Sequence, residues 1–400
     1  MTKTLTIRIN KSAIFAFLVI TFFLQPSNFF SVVPSYFAPL LRVGQILILF
    51  YLITKSINRK DIFKPQLMLI MAYYLLIYGV SLIIKSSTPQ LMEAFASIGI
   101  CMYISYAYLY EQDNMFTGFA TFYLLYAIAE VLIIIILRPD PLKYDLGLFY
   151  NRNHLVRFFL PGIFFILMKC KNKTQKYITI YSLAYLGMMS FIILYGKSAT
   201  GLVALVVLLA LLLVFRNKPI PKYLEIKYMV IYTILLFVGI FVFHIEKHFD
   251  YIITVLLQRD MTFSGRLYIW IAALDVIKEN LLLGIGAYSN YGSFLLGFKH
   301  AHQYWLQSLL SGGIIGTIIL LIIYINASNS LRDSKQVEGS NILCIVIDII
   351  LIIGIDEALT KTEMLIPLLL IAGLYGLSTK TSVKPVYDVK NHSKEYLITH

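Results

Sequence analysis

This sequence predicts an all-α polytopic membrane protein of about twelve transmembrane helices, with one large extracytoplasmic loop. Three observations predict it. Of the 400 residues, 59% are apolar and the mean hydropathy is +0.77, beyond the range of soluble domains. The apolar residues fall in runs close to the length that spans a bilayer, separated by polar segments. Lys and Arg concentrate in alternate segments, which is the pattern that sets orientation in a membrane. A formal charge of +13 would point to nucleic acid in a soluble chain. Here the basic residues are interleaved with apolar runs, so topology accounts for most of them and nucleic acid is excluded as a partner.

The runs follow in order. Lys3, Arg8 and Lys11 precede an apolar stretch from Ala13 to Leu24 that resembles a secretory signal, but no small-residue cleavage site follows, so it is read as the first span. Further runs lie near 38–54, 66–84, 91–110, 116–137, 154–169, 177–195, 199–215, 226–243, 301–325, 341–358 and 362–378. An even number of spans puts both termini on one side. Lys55, Arg59, Lys60 and Lys64, then Lys169 to Lys176, then Arg216 to Lys227, place that side in the cytoplasm. The expected organisation is one membrane domain over 1–379 that includes the loop 244–300, followed by a cytoplasmic tail over 380–400. Cys101, Cys170 and Cys344 fall near cytoplasmic span ends and offer neither a disulfide framework nor metal-ligand spacing. Two outer segments, 138–153 and the longer 244–300, have the Pro, Gly, Asn and Tyr content of ordered loops. Paired Gly- or Pro-broken spans in matching halves, the sign of an inverted-repeat transporter, are not apparent.

The polar residues crowd into Ser264 to Thr317. Arg266 follows Ser264, a candidate N-cap, and opens a helix whose Leu267, Trp270, Ile271, Leu274 and Ile277 form one stripe, expected to lie on the membrane or the bundle. A cation in a first turn opposes the helix dipole by roughly 0.3–1 kcal/mol, so Arg266 is locally unfavourable unless an anion joins it. The alternative is an interfacial arginine reaching lipid head groups. His300 and His302 precede a long apolar run. Two positions apart on a helix they would face different ways, so one of them, His302, is expected in the site. At a helix N-terminus His302 would favour the neutral imidazole that accepts a proton.

Gly312 and Gly316 read as a close-packing surface for another helix. Tyr288, Tyr291, Phe294, Tyr304 and Trp305 read as interfacial belt residues before sugar platforms. Upstream, Asn151, Arg152, Asn153 and His154 lead into a run in which Arg157 lies about one turn deep, with Asn153 as the expected cap. A guanidinium at that depth calls for a wet or anionic cavity. Lys197 sits in the tight outer turn Gly196 to Gly201, where an interfacial lysine is the plain alternative. Among the acids in or near spans, Glu130 and Asp348 are deep, whereas Asp356 and Glu357 lie near the outer surface and are expected to pair with Lys361.

The order Ser264-Gly265-Arg266, Trp270, His302-Gln303 and Gly312-Gly313 resembles the signature of the O-antigen ligase and O-antigen/capsule polymerase superfamily over about 50 residues. The Asn-rich lead to Arg157 is similar to that family, and Lys197 stands where relatives commonly carry a Ser-Arg pair. The resemblance implies a GT-C-like fold and an inverting, metal-independent glycosyltransferase of the bacterial inner membrane, with its site on the outer face and no cofactor. No Walker sequence or nucleotide-binding Gly-rich loop is present, which fits a donor activated by its own lipid pyrophosphate. Implied partners are a polyprenyl-pyrophosphate-linked oligosaccharide, a saccharide acceptor, membrane lipids, a flippase and a chain-length regulator. His302 would act as the base, and Arg266, Arg157, Lys197 and Arg152 would hold the pyrophosphate. Polymerase is the leading expectation, with ligase and secondary transporter as alternatives.

Overall fold

In lipid a backbone satisfies its own polar groups only as a helix or a closed barrel, and no strand occurs among the described residues. The computed structural model describes residues 10–25, 29, 37–59, 64–84, 88–140, 148, 152–216, 218–243, 266–288, 291–334, 339–355, 357–359 and 364–381. The helices are α1 Lys11–Phe23, α2 Phe37–Arg59, α3 Pro65–Ile84, α4 Thr88–Tyr110, α5 Gln112–Leu137, α6 Arg152–Thr174, α7 Ile180–Tyr195, α8 Ala199–Phe215, α9 Ile226–Phe243, α10 Arg266–Glu279, α11 Tyr304–Asp333, α12 Ser340–Ile353 and α13 Leu365–Thr381. Each apolar run named above coincides with one of them, and α10 is the helix expected inside the large loop. Six helices among the described residues are long and apolar enough to cross a membrane: α2, α3, α4, α5, α9 and α11. The chain is a multi-pass membrane protein. α1, α7, α8, α12 and α13 are apolar but shorter.

The centre of the bundle is aromatic. Phe119 of α5 meets Phe165 of α6 edge-on at 4.9 Å, and Tyr123 stacks on the same ring at 6.0 Å. Tyr185 of α7 donates to the Phe159 carbonyl at 2.7 Å. These contacts, all buried, fix α6, the helix that carries Arg157, against two neighbours.

The outer loop is tied into the bundle by a break in α11. Gly313 has φ 58° and ψ −160°, so the helical hydrogen bonding is interrupted there. The segment Leu281 to Gly286 fills the gap. Its carbonyls at Leu281 and Leu282 accept from Ile314 and Ile315, while Ile285 and Gly286 donate to Leu310 and Ser311, at 2.8–3.1 Å. A Cβ at Gly313 would stand 2.4 Å from the Leu282 carbonyl carbon and oxygen, so glycine is required for the approach as well as for the positive φ. Ala287 then donates to Ile77 of α3 at 2.9 Å. Gly312 and Gly316 do pack on α3, at Ile77, Tyr73 and Leu76. At about 1.5 Å per residue α11 is about 45 Å long, about 15 Å more than a hydrocarbon core.

Two boundaries differ from expectation. The run 341–358 is helical only to Ile353, because the chain turns at Gly354, so Glu357 lies in a loop. α6 begins at Arg152, which puts Asn153 inside the first turn instead of at the cap.

Candidate functional site

Three helix N-termini meet at one end of the bundle, at the loop between α12 and α13. Tyr304, the first residue of α11, donates its N–H to the Gly354 carbonyl at 2.9 Å. Arg157, fully buried in the second turn of α6, donates to the Ala358 carbonyl. Arg266, the first residue of α10, forms an ion pair with Glu357, Nη2 to Oε1, at 3.3 Å. Groups from the first turns of three helices therefore converge on the same short segment.

Glu357, 1% exposed, also approaches His302: its Oε2 is 3.3 Å from Nδ1. Burial alone would raise the Glu357 carboxyl. The close approach of His302 and the Arg157 and Arg266 charges outweigh burial and hold it well below the usual carboxylate range. His302 precedes the helix with φ 50°, and Gln303 caps α11 by accepting the Leu306 N–H on Oε1 at 2.6 Å. The role of the Gln303 amide is thus local: it ends the turn that aims His302.

Several expectations change. His300 and His302 are not on a helix, so the argument that they diverge fails. In non-helical chain, residues two apart can share a face, and the two rings lie 4.0 Å apart. His300 belongs to the cluster, where burial and then His302, with Arg157 and Arg266 adding, push its imidazole down to about 3 against the pull of Glu357. Glu357 pairs with Arg266 and His302; Asp356 and Lys361, and with them the expected pairing to Lys361, lie outside the described residues. His154, one turn before Arg157 on α6, lies within electrostatic reach of Arg157, Glu357, His300 and His302. His154 was passed over in the sequence although it stands in the same Asn-rich motif.

Lys197 is exposed at the α7–α8 turn. Gly201 of α8 abuts Val156, the neighbour of Arg157, so that turn lies beside the start of α6. No contact joins Lys197 to the Glu357 cluster among those described. The Arg152 side chain, Ser264, Gly265 and Asn151 lie outside the described residues, as do 244–265 of the loop and 382–400 of the tail. Of the aromatics expected at the interface, Tyr291, Tyr304 and Trp305 are buried and Tyr288 and Phe294 are half-buried. Trp270 is buried against Phe237 and Phe241 of α9. Trp305 donates to Thr233 at 3.1 Å, and Tyr304 bonds to Tyr324 at 2.9 Å. Tyr291, pushed up to about 12 by burial, donates to the Gly286 carbonyl at 2.9 Å and contacts Ser311 at 2.9 Å, which braces the inserted segment.

The imidazole nitrogens of His300 and His302 and a Glu357 oxygen all lie within 4.8 Å of one another, close enough to share a metal ion. Two guanidinium groups at one carboxylate work against a divalent cation there. The same surplus of positive charge, at three helix N-termini, suits an anion.

Residues 184–321 match the protein family described as O-antigen ligase. That match supports the resemblance to the O-antigen ligase and polymerase superfamily. The match runs from α7 into α11 and takes in Lys197, Arg266 and His302. Arg157 and Glu357 lie outside it, on helix α6 and the α12–α13 loop. No curated protein matches the chain.

Proposed function

We propose that the protein is a GT-C-like, metal-independent membrane glycosyltransferase that polymerises polyprenyl-pyrophosphate-linked oligosaccharide units at the outer face of the bacterial cytoplasmic membrane. The observation that carries this reading is the meeting of Arg266 and His302 at one buried carboxylate, Glu357, with Arg157 held at the carbonyl of the next residue, Ala358, beside three helix N-termini. Arg157 and Arg266 hold the diphosphate of the lipid donor, and Lys197 and Arg152 at the neighbouring turns extend the positive rim. An acceptor hydroxyl attacks the anomeric carbon with inversion. Its oxygen forms the new glycosidic bond, the anomeric carbon–oxygen bond to the diphosphate breaks, and His302 takes the hydroxyl proton. The leaving charge then grows where two guanidiniums already stand, which is where fixed cations lower a barrier most. The count of apolar runs and the placement of Lys and Arg between them support assigning this end of the bundle to the extracytoplasmic side. A flippase would deliver the donor and a chain-length regulator would act on the product.

Polymerase is preferred because the outer segments, 138–153 and 244–300, are short for a separate acceptor-binding domain. The description of the matching family supports a second reading, a ligase that passes the saccharide to lipid A-core. Arg266→Ala and, separately, His302→Ala in the native host distinguish them. Surface glycan shortened to a single repeat unit supports polymerase. Loss of every attached unit, with lipid-linked polymer accumulating, supports ligase. Loss of a general base lowers the rate by about 10²–10⁴, so unchanged glycan in both variants would overturn the site.

A further inference from the structure

Glu357 is the only residue described as touching both a proposed phosphate-binding cation and the proposed base: Oε1 faces Arg266 Nη2 and Oε2 faces His302 Nδ1, each at 3.3 Å. It is 1% exposed, and its loop neighbour Ala358 receives the hydrogen bond of Arg157. One short loop thereby registers all three groups. We infer that Glu357 is the positioning residue of the transfer, holding His302 with its proton on Nδ1 so that Nε2 is the atom that accepts the acceptor hydroxyl's proton. The inference rests on the reading of His302 as base.

The chemistry requires such a partner. A neutral imidazole carries one proton on either nitrogen, and only the unprotonated nitrogen can serve as a base. A carboxylate at Nδ1 selects the tautomer with Nε2 open and then stabilises the imidazolium once the proton has moved. No other carboxylate is described at this ring. The groups that face it are His300 at 4.0 Å between ring centroids, Glu357 at 3.3 Å, and within electrostatic reach Arg157, Arg266 and His154. Balanced over one turnover, the hydroxyl proton passes to Nε2, Glu357 stays ionised, and the proton is released to solvent or to the departing diphosphate.

The test compares Glu357→Gln, Glu357→Asp, His302→Ala and the double variant Glu357→Gln/His302→Ala, with the full chain in lipid nanodiscs. Transfer is followed with lipid-linked units from the native host, and binding is followed with undecaprenyl pyrophosphate as probe. Glu357→Gln is expected to lower the transfer rate at least 10-fold, keep probe affinity within about threefold, and shift the acid limb of the rate profile to lower pH, because an imidazole without its carboxylate is less basic. Glu357→Asp recovers part of the rate, and the double variant is no slower than His302→Ala. The inference is overturned by wild-type transfer in Glu357→Gln alongside an inactive His302→Ala. Loss of rate, probe binding and thermal stability together, without recovery in Glu357→Asp, also overturns it. So does inactivation by a chelator that zinc reverses, since Glu357 would then be a metal ligand. Normal transfer in His302→Ala instead brings down the parent reading, so the two failures are told apart.

Discussion

At the scale of single residues, the cluster stores its charge in a pH-sensitive way. The His300 imidazole is held at about 3, mainly by burial, whereas an unfolded histidine titrates near 6.5. Between those values the unfolded chain binds the proton and the folded one does not, so stability is lost as pH falls from about 6.5 toward about 3. His300→Asn is expected to flatten this part of the curve in a thermal unfolding series from pH 7 to pH 4; an unchanged slope would mean that His300 is protonated in the folded chain. Glu357 works in the same direction at lower pH: its depressed carboxyl stabilises the fold above the ordinary carboxylate range near 4.3 and loses that effect below it. Sequence reasoning reached Arg157, Arg266 and His302 because a cation or imidazole at the edge of an apolar run is locally unfavourable and so asks for a partner. It missed the partner itself. Glu357 lies 91 positions from Arg266 along the chain, and no sequence pattern joins the two.

At the scale of elements, the apolar runs gave the helices, and the failures came where a helix ends or breaks. Glycine pairs in an apolar helix suggest close packing, and Gly312 and Gly316 do pack on α3. Gly313 between them has a different task, since its positive φ opens α11 for Leu281 to Gly286. Hydropathy carries no mark of such a break, because the apolar run read near 301–325 continues through it. Gly313→Ala is expected to lower the thermal midpoint and detergent-extracted yield, since it adds a left-handed cost of about 1–2 kcal/mol to a 2.4 Å clash with Leu282. Gly297→Ala, with φ 89° and open space around it, keeps only the conformational cost. Equal midpoints for the two variants would contradict the inserted segment. The His300–His302 turn failed for a related reason: a helical periodicity was extended back across a capping residue, Gln303, that in fact starts the helix.

At the scale of the whole molecule, the site exists only in the assembled bundle. Arg157 comes from α6, Arg266 from α10, His302 from the turn before α11 and Glu357 from the α12–α13 loop, so four distant stretches of chain meet. The family match spans only the middle two. Arg266 and His302 lie together in the motif stretch, whereas Arg157 is brought in on α6 and Glu357 on the α12–α13 loop by tertiary packing. The surplus of guanidinium over carboxylate charge at those meeting points is the feature that assigns an anionic ligand. It is tested most directly by measuring the affinity of the nanodisc-embedded protein for undecaprenyl pyrophosphate and for undecaprenyl monophosphate. The wild type should prefer the diphosphate at least 10-fold, and Arg157→Gln and Arg266→Gln should each erase most of that preference. Equal affinity for the two lipids, or a preference that survives both substitutions, would contradict it.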